Sequence, residues 1–231
     1  MSQLSIIIPT LNEGPHIELA LAALAPLRER GAELIVADGG SRDRTVAIAT
    51  ALADSVIAAP PGRGAQMNAG AAVAKGAVLL FLHADTTLPP NADTLVLNGL
   101  GHSGRAWGRF DVRIEGASPL LPLVATLMNA RSRITGIATG DQAMFVTRAA
   151  FDAAGGFAEI ALMEDVALSK RLKRVGPPLC LAACVITSGR RWDQRGVLRT
   201  ILLMWRLRLS YFLGAEPAAL ARRYGSLPHN G

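Results

Sequence analysis

Cysteine is scarce in this chain: Cys180 and Cys184 are the only two among 231 residues, and they stand four apart in an apolar run with no other metal ligands beside them. Buried free thiols are the expectation, and a cysteine-based metal site is not. Aromatic residues make up only 5% of the chain, and no stacking platform or recognition-helix pattern accompanies the basic charge, so nucleic acid is not the expected partner. Long hydrophobic runs are missing too. A spanning helix needs about 18 to 20 apolar residues, and the nearest candidate, Gly196 to Leu213, is interrupted by Arg199, Arg206 and Arg208. That stretch reads as a basic amphipathic helix, either packed on the domain or lying on a membrane surface. The first residues carry no basic leader before a cleavable apolar core, which points to a cytoplasmic location, with the inner membrane face open to the basic helix. No internal repeat, heptad, low-complexity linker or nucleophilic triad is visible.

What the sequence has is core material. Half of its residues are hydrophobic and the mean hydropathy is +0.30, enough for one compact domain. Residues 1–195 are assigned to that domain and 196–231 to the basic helix and tail. The net charge is +6 and the sequence pI near 10.1, which favours an anionic ligand. The excess is local: Arg190, Arg191, Arg195, Arg199, Arg206, Arg208, Arg222 and Arg223 crowd the C-terminal part.

Strand-like and helix-like segments alternate through the first half. Strands are expected at Leu4 to Ile8, Glu33 to Ala37, Ser55 to Ala59 and Ala77 to Leu82, with helices from Gly14 to Leu27, Thr45 to Ala53 and Ala65 to Ala74. The continuous apolar runs suit strands buried on both faces. This grammar predicts an α/β fold with a mostly parallel sheet, flanked by helices and joined by right-handed crossovers. The alternation then breaks. Helices are expected near Ala92 to Leu100, Leu120 to Arg133 and Val166 to Val175, and strands near Trp107 to Ile114, Ala143 to Thr147 and Leu181 to Thr187.

Three polar groups fall where the first, second and fourth strands end: Thr10-Leu11-Asn12-Glu13, Asp38-Gly39-Gly40-Ser41 and His83-Ala84-Asp85. Parallel strands bring such ends together at the edge where ligands bind. A carboxylate there can accept from hydroxyl or N–H groups of a ligand, while adjacent glycines admit close backbone approach. Ser41 and Asp43 equally suit helix capping, and Glu13 can favour a helix dipole. Arg63, flanked by glycines at a helix start, suits an anion. Asp85 can ligate a hard cation, with His83 a tolerable partner for Mn²⁺. Glu164 and Asp165 open a helix, where acids act as caps or as a general base. His16, His102 and His229 show no ligand-like spacing.

The segments IIIPTLNE, ADGGSRDRT, GRGAQMNAG and HAD, over most of the chain from Ser5 to about Trp192, resemble the inverting family-2 nucleotide-sugar glycosyltransferases of GT-A fold. The resemblance implies a Rossmann-like sheet and a nucleotide-diphosphate sugar donor, with a UDP-sugar favoured. It puts Pro9, Thr10, Asn12, Glu13, Asp38 and Gly39 around the nucleoside and Arg63 near the base or diphosphate. It puts His83-Ala84-Asp85 in the place of an Asp-x-Asp motif, so that Asp85, with His83 a further candidate, holds Mn²⁺ or Mg²⁺ beneath the diphosphate. Asp165, beside Glu164, takes the place of the general base, and Asp141, Gln142 and Trp192 fall on the acceptor side. Arg190-Arg191-Trp192 is similar to part of the Gln-x-x-Arg-Trp motif of processive synthases but lacks its glutamine. HAD and WGRFDVRI also resemble a small subgroup associated with arsenosugar biosynthesis and radical-SAM proteins, which implies a small soluble acceptor; the basic helix equally fits a lipid-linked one. A nucleotidyltransferase, and a sugar-nucleotide or membrane-binding module without transfer, are the alternatives.

Overall fold

The computed structural model describes residues 3–225. Its sheet has eight strands: β1 (Leu4–Thr10), β2 (Glu33–Asp38), β3 (Ser55–Ala58), β4 (Val78–Phe81), β5 (Thr86–Thr87), β6 (Trp107–Glu115), β7 (Phe145–Thr147) and β8 (Leu179–Ser188), in the spatial order β3-β2-β1-β4-β7-β6-β8-β5. Strands β1 to β4 pair in parallel, as do β6 and β8, whereas β7 runs antiparallel to both its neighbours and β5 antiparallel to β8. The sheet is therefore mixed and mostly parallel.

Helices cover it as α1 (Gly14–Glu29), α2 (Thr45–Leu52), α3 (Arg63–Val73), α4 (Ala92–Ser103), α5 (Leu121–Thr135), α6 (Arg148–Ala153), α7 (Glu164–Leu172), α8 (Arg190–Arg195), α9 (Val197–Phe212) and α10 (Pro217–Tyr224). The period-2 alternation of strand side chains divides the core into two layers. Ile6, Ile8, Leu34, Val36 and Leu80 face one layer with Leu21 of α1, Val96 of α4 and Val124 of α5. Ile7, Ile35, Leu79 and Phe81 face the other with Met67 of α3, Phe151 of α6 and Leu168 of α7. Runs that are apolar at every position are what burial on both faces demands. A third cluster joins Leu162, Met163 and Val166 to Leu207 of α9 and Leu220 and Ala221 of α10. The C-terminal helices thus share a core with the start of α7.

Two features differ from expectation. Cys184 is exposed and Cys180 half-buried, because β8 bulges opposite Phe110 and Asp111 and its outer neighbour β5 covers only Ile186 and Thr187. Helix α2 is not capped by Ser41: Arg44 holds the cap position, and the Asp43 carboxylate accepts from the Thr45 amide at 2.9 Å. His229 and the rest of the tail past residue 225 lie outside the described residues. No helix among the described residues is long and apolar enough to cross a membrane.

Candidate active site

The parallel register sets Thr10 beside Asp38 at the carboxyl ends of β1 and β2. Asp38 accepts from the Thr10 hydroxyl at 3.2 Å, the Gly40 and Ser41 amides at 2.9 and 2.8 Å, and the Ser41 hydroxyl at 2.5 Å. Burial opposes its ionisation, but the Ser41, Gly40 and Thr10 hydrogen bonds outweigh that and hold the carboxyl below its ordinary range. Pro9 and Gly39 are buried in the same wall. Asn12 adopts a left-handed φ of 54°, donates its amide to Ser41 Oγ at 2.8 Å and accepts from the Arg42 amide at 2.9 Å. Glu13 follows, its amide on Thr45 Oγ1. Behind this wall Gln66, 3% exposed on α3, donates Nε2 to the carbonyls of Thr10 at 2.6 Å and Ala37 at 2.9 Å. Gln66 ties the two strand ends together and escaped the sequence reading. Its one signal was a polar side chain on the buried face of an Ala- and Gly-rich helix.

Because β7 is antiparallel to β4, the 3-10 turn Gly140–Gln142 that precedes β7 lies at the edge where β4 ends. Asp141 there meets His83, Oδ1 to Nδ1 at 3.5 Å. The His83 ring packs so closely on Gly140 that a Cβ at this position would lie 2.5 Å from Nε2. The Gly140 amide donates to Asp165 Oδ2 at 2.9 Å, and the Val166 amide to Asp165 Oδ1 at 2.7 Å. Met163, just before this pair of acids, has φ 72°; with Asn12 and Ala143 it completes the described non-glycine residues of positive φ, and all three flank the crevice. Gly64 lets α3 approach, since a Cβ there would stand 2.5 Å from the Ala158 carbonyl oxygen.

A small cavity under the acids is lined by Met67, Phe81, Met144 and Phe157 as well as by His83, Glu164 and Asp165. This apolar floor explains the titration. Burial pushes Glu164 up, with the Asp165 charge adding to it and Arg63 opposing; burial also pushes Asp165 up despite its two amide hydrogen bonds. Asp141 keeps 48% of its side chain exposed; partial loss of solvent acts on it in the same direction, but the His83 hydrogen bond and charge, with Arg63 and Arg191, bring it below the ordinary range. Burial raises Glu13 as well, and the Asp85 charge adds to that against His16, Arg190 and Arg63. Arg63, exposed at the start of α3, is acted on by Glu164, Tyr224, Asp141 and Asp165, which outweigh its partial loss of solvent and raise its pKa. The structure therefore brings Glu13, Asp85, Arg63, His83, Asp141, Glu164 and Asp165 around one crevice, with Asp38 along the same sheet edge.

Asp85 is exposed after β4, its backbone oxygen fixed by the Ser188 amide and its carboxylate met by Thr86 Oγ1 at 3.3 Å. No set of three His, Cys, Asp or Glu residues able to hold a metal gathers among the described residues. One accessible carboxylate with few protein ligands fits Mg²⁺ or Mn²⁺, which keep waters and substrate phosphates in their shell, and does not fit an all-protein cage. His83 is engaged with Asp141.

Two acceptor-side expectations fall elsewhere. Gln142 is wholly buried: its Oε1 accepts from the Thr139 amide at 3.2 Å and hydroxyl at 3.4 Å, and its Nε2 donates to Asn129. It fixes the turn. Trp192 lies half-buried on a separate groove of about 510 Å³ between the starts of α5 and α9, lined also by Leu120 and Leu198. Successive helical residues diverge by about 100°, so Trp192 points away while Arg191 stacks on the Tyr224 ring at 4.2 Å and acts on Asp141. Arg190 meets His16 at 2.5 Å and acts on Glu13. Tyr224 of α10 carries no local sequence signal, yet it lies in the field of Asp141, Asp165 and Arg63, its phenol pushed up by burial.

Residues 5–149, more than half of the chain, match the family model described as glycosyl transferase family 2. The chain belongs to this family. Among its family-2 relatives, a PGL/p-HBAD biosynthesis glycosyltransferase of Mycobacterium bovis (strain BCG / Pasteur 1173P2) is 40% identical over 98 residues, 39% of this chain and 38% of the relative; one from Mycobacterium tuberculosis (strain ATCC 25177 / H37Ra) aligns equally. The aligned part thus spans well under half the length of these relatives. Among solved structures, the mannosyltransferase PcManGT from Pyrobaculum calidifontis, in complex with GDP-Man and Mn²⁺, superposes with a TM-score of 0.65 at 19% identity, covering 96% of this chain and 68% of that one. S. aureus TarS 1–349 in complex with UDP-GlcNAc gives a TM-score of 0.64 at 17% identity, covering 81% and 58%. These two likenesses establish the GT-A type of fold.

Proposed function

We propose that the chain transfers a sugar from a nucleotide-diphosphate donor to an acceptor hydroxyl with inversion, Asp165 acting as the general base. The observation that carries this reading is the contrast between two carboxylates on one sheet edge. Asp38 is held ionised by four hydrogen bonds, which suits reading ribose or base, whereas burial lifts Asp165 above its ordinary range, which suits taking a proton. Thr10, Asn12 and Glu13 line the nucleoside wall with Asp38, and Arg63 reaches between that wall and the acids. The acceptor oxygen forms its bond to the anomeric carbon as its proton passes to Asp165, and the bond from that carbon to the diphosphate oxygen breaks with the electron pair leaving on the nucleotide. Asp85 would hold a divalent cation, which when bound would supply charge stabilisation for the leaving diphosphate. That TarS was solved with UDP-GlcNAc and PcManGT with GDP-Man and Mn²⁺ supports both the donor class and the cation. A UDP-sugar is the favoured donor.

A thermal-shift panel of UDP, GDP, ADP and dTDP sugars with Mn²⁺ or Mg²⁺ tests this. A donor at 100 times its dissociation constant stabilises by about 2.7 kcal/mol. One such donor, with slow release of free nucleotide, is expected; binding without release marks a module that only holds the sugar nucleotide, and no binding removes the reading.

The acceptor reading follows from α9. Leu198, Leu202, Trp205, Leu209 and Phe212 recur at four- and three-residue spacing, and each is at least 60% exposed. Arg199 and Arg206 flank this stripe, and α9 contains no acid. An apolar face edged by cations fits the interfacial region of an anionic membrane. It favours a lipid-linked acceptor at the cytoplasmic face over the small soluble acceptor that the arsenosugar-type resemblance implies.

A further inference from the structure

On the Asp165 side of the crevice stand guanidinium groups that the proposed reaction leaves unused. Arg131, on α5, has Nε and Nη2 buried with no hydrogen-bond partner among the described residues, and Nη1 of Arg191 is in the same state. Buried charged donors without an acceptor are strongly unfavourable, so a fold that keeps them calls for an explanation. Acids are near: Asp165 and Asp141 act on Arg131, and Asp141 on Arg191. Their oxygens are nonetheless turned to other donors, Asp165 to the Gly140 and Val166 amides and Asp141 to His83. The cations are thus held beside carboxylates without being satisfied by them.

The position excludes the donor wall. Burial and the Arg109 charge lower the pKa of Arg131, and the acids that act against them are Asp165 and Asp141, both on the acceptor side of the crevice. Arg63 differs, since it acts on Glu13 and is acted on by the Asp141, Glu164 and Asp165 group. It stands at the junction.

We propose that Arg131 and Arg191, with Arg63 at the junction, form an anion subsite on the acceptor side that takes a phosphate-type group carried by the acceptor near the hydroxyl to be glycosylated. The planar guanidinium fork matches phosphate oxygens in pairs, which an ammonium does not. A water-soluble phosphate monoester and a phospholipid headgroup share this chemistry. The inference rests on the reading of Asp165 as the acceptor-side base.

The test uses the full chain saturated with UDP and Mn²⁺, so that the donor site is filled. Glycerol 3-phosphate is titrated with glycerol as the neutral control, and in parallel vesicles of phosphatidylcholine with and without phosphatidylglycerol. Glycerol 3-phosphate is expected to bind where glycerol does not. Arg131→Gln weakens that binding by about tenfold or more, the loss of a charge-assisted hydrogen-bond pair, while Arg131→Lys falls between and UDP–Mn²⁺ affinity is unchanged. Arg191→Gln serves as the second variant should Arg131→Gln fail to fold. Arg131-dependent binding of the anionic vesicles alone assigns the group to a lipid headgroup. Binding of both probes that is indifferent to Arg131 and Arg191, or of neither, overturns the subsite. If UDP and Mn²⁺ fail to bind while the phosphate titration still depends on Arg131, the donor reading falls and the subsite stands.

Discussion

Gly140→Ala places one methyl group where two functional side chains meet. The new Cβ would lie 2.5 Å from His83 Nε2, so the ring has to withdraw by about 1 Å to reach ordinary contact. The 3.5 Å approach of His83 to Asp141 is lost in the same movement. Overpacking of this kind costs about 1 to 3 kcal/mol, and the upper part of that range is expected, because only 13% of the His83 side chain is exposed and its ring has little room to withdraw. The functional consequence is larger than the structural one. Without His83 the Asp141 carboxyl loses the chief partner opposing its burial, and Asp165 loses a positive neighbour whenever the imidazole is protonated. Both pKa values then rise. Transfer by a base fails as pH falls through the pKa of Asp165, so raising that pKa moves the acid limb of the rate profile to higher pH. Urea denaturation at fixed pH gives the stability loss, and sugar transfer measured across pH gives the limb. A variant as stable as the parent with an unshifted acid limb would refute the argument that His83, Gly140, Asp141 and Asp165 act as one unit.

Asp85→Ala is expected to abolish metal-dependent donor binding, read by calorimetry with and without Mn²⁺; undiminished metal dependence contradicts its role. Gln66→Leu removes two buried hydrogen bonds and is expected to cost about 1 to 3 kcal/mol in urea denaturation and to weaken UDP binding, because the ends of β1 and β2 lose their tie; a stable variant with parental UDP affinity contradicts this. Folding raises the pKa of Glu164 and Asp165, so the native state binds more protons than the unfolded chain between the ordinary carboxylate range and the raised values, and stability falls as pH climbs through that window. Glu164→Gln should flatten that fall, and an unaltered slope would count against the assignment. Trp205→Glu should reduce partitioning onto phosphatidylglycerol vesicles by about tenfold or more, since burying a large apolar side chain is worth about 1.5 to 3 kcal/mol; equal sedimentation of parent and variant removes α9 from the membrane contact.

The parallel half of the sheet was legible because Ile6-Ile7-Ile8, Leu34-Ile35-Val36 and Leu79-Leu80-Phe81 are apolar at every position, a pattern that burial on both faces requires. Once those strands are parallel, topology alone collects Thr10, Asn12, Asp38 and Asp85 at one edge. The direction of β7 was not legible, since three residues carry no signal of what they pair with, and β5 is shorter still. Cys184 shows the limit of reading burial from an apolar run: the run is real, but its neighbour strand covers only two of its residues. Trp192 shows the limit of reading a site from adjacent letters, because a helix sends Arg191 one way and Trp192 another. Gln66, Arg131 and Tyr224 matter through partners far along the chain, and only the packed fold reveals those.

The central claim is that separate acids on one edge hold the donor and activate the acceptor. Asp165→Asn separates the two tasks most directly, measured as UDP–Mn²⁺ affinity and transfer rate on the same preparation. The account predicts parental affinity with transfer reduced by about 10² to 10⁴-fold. Transfer at the parental rate, or loss of donor binding together with transfer, would contradict it.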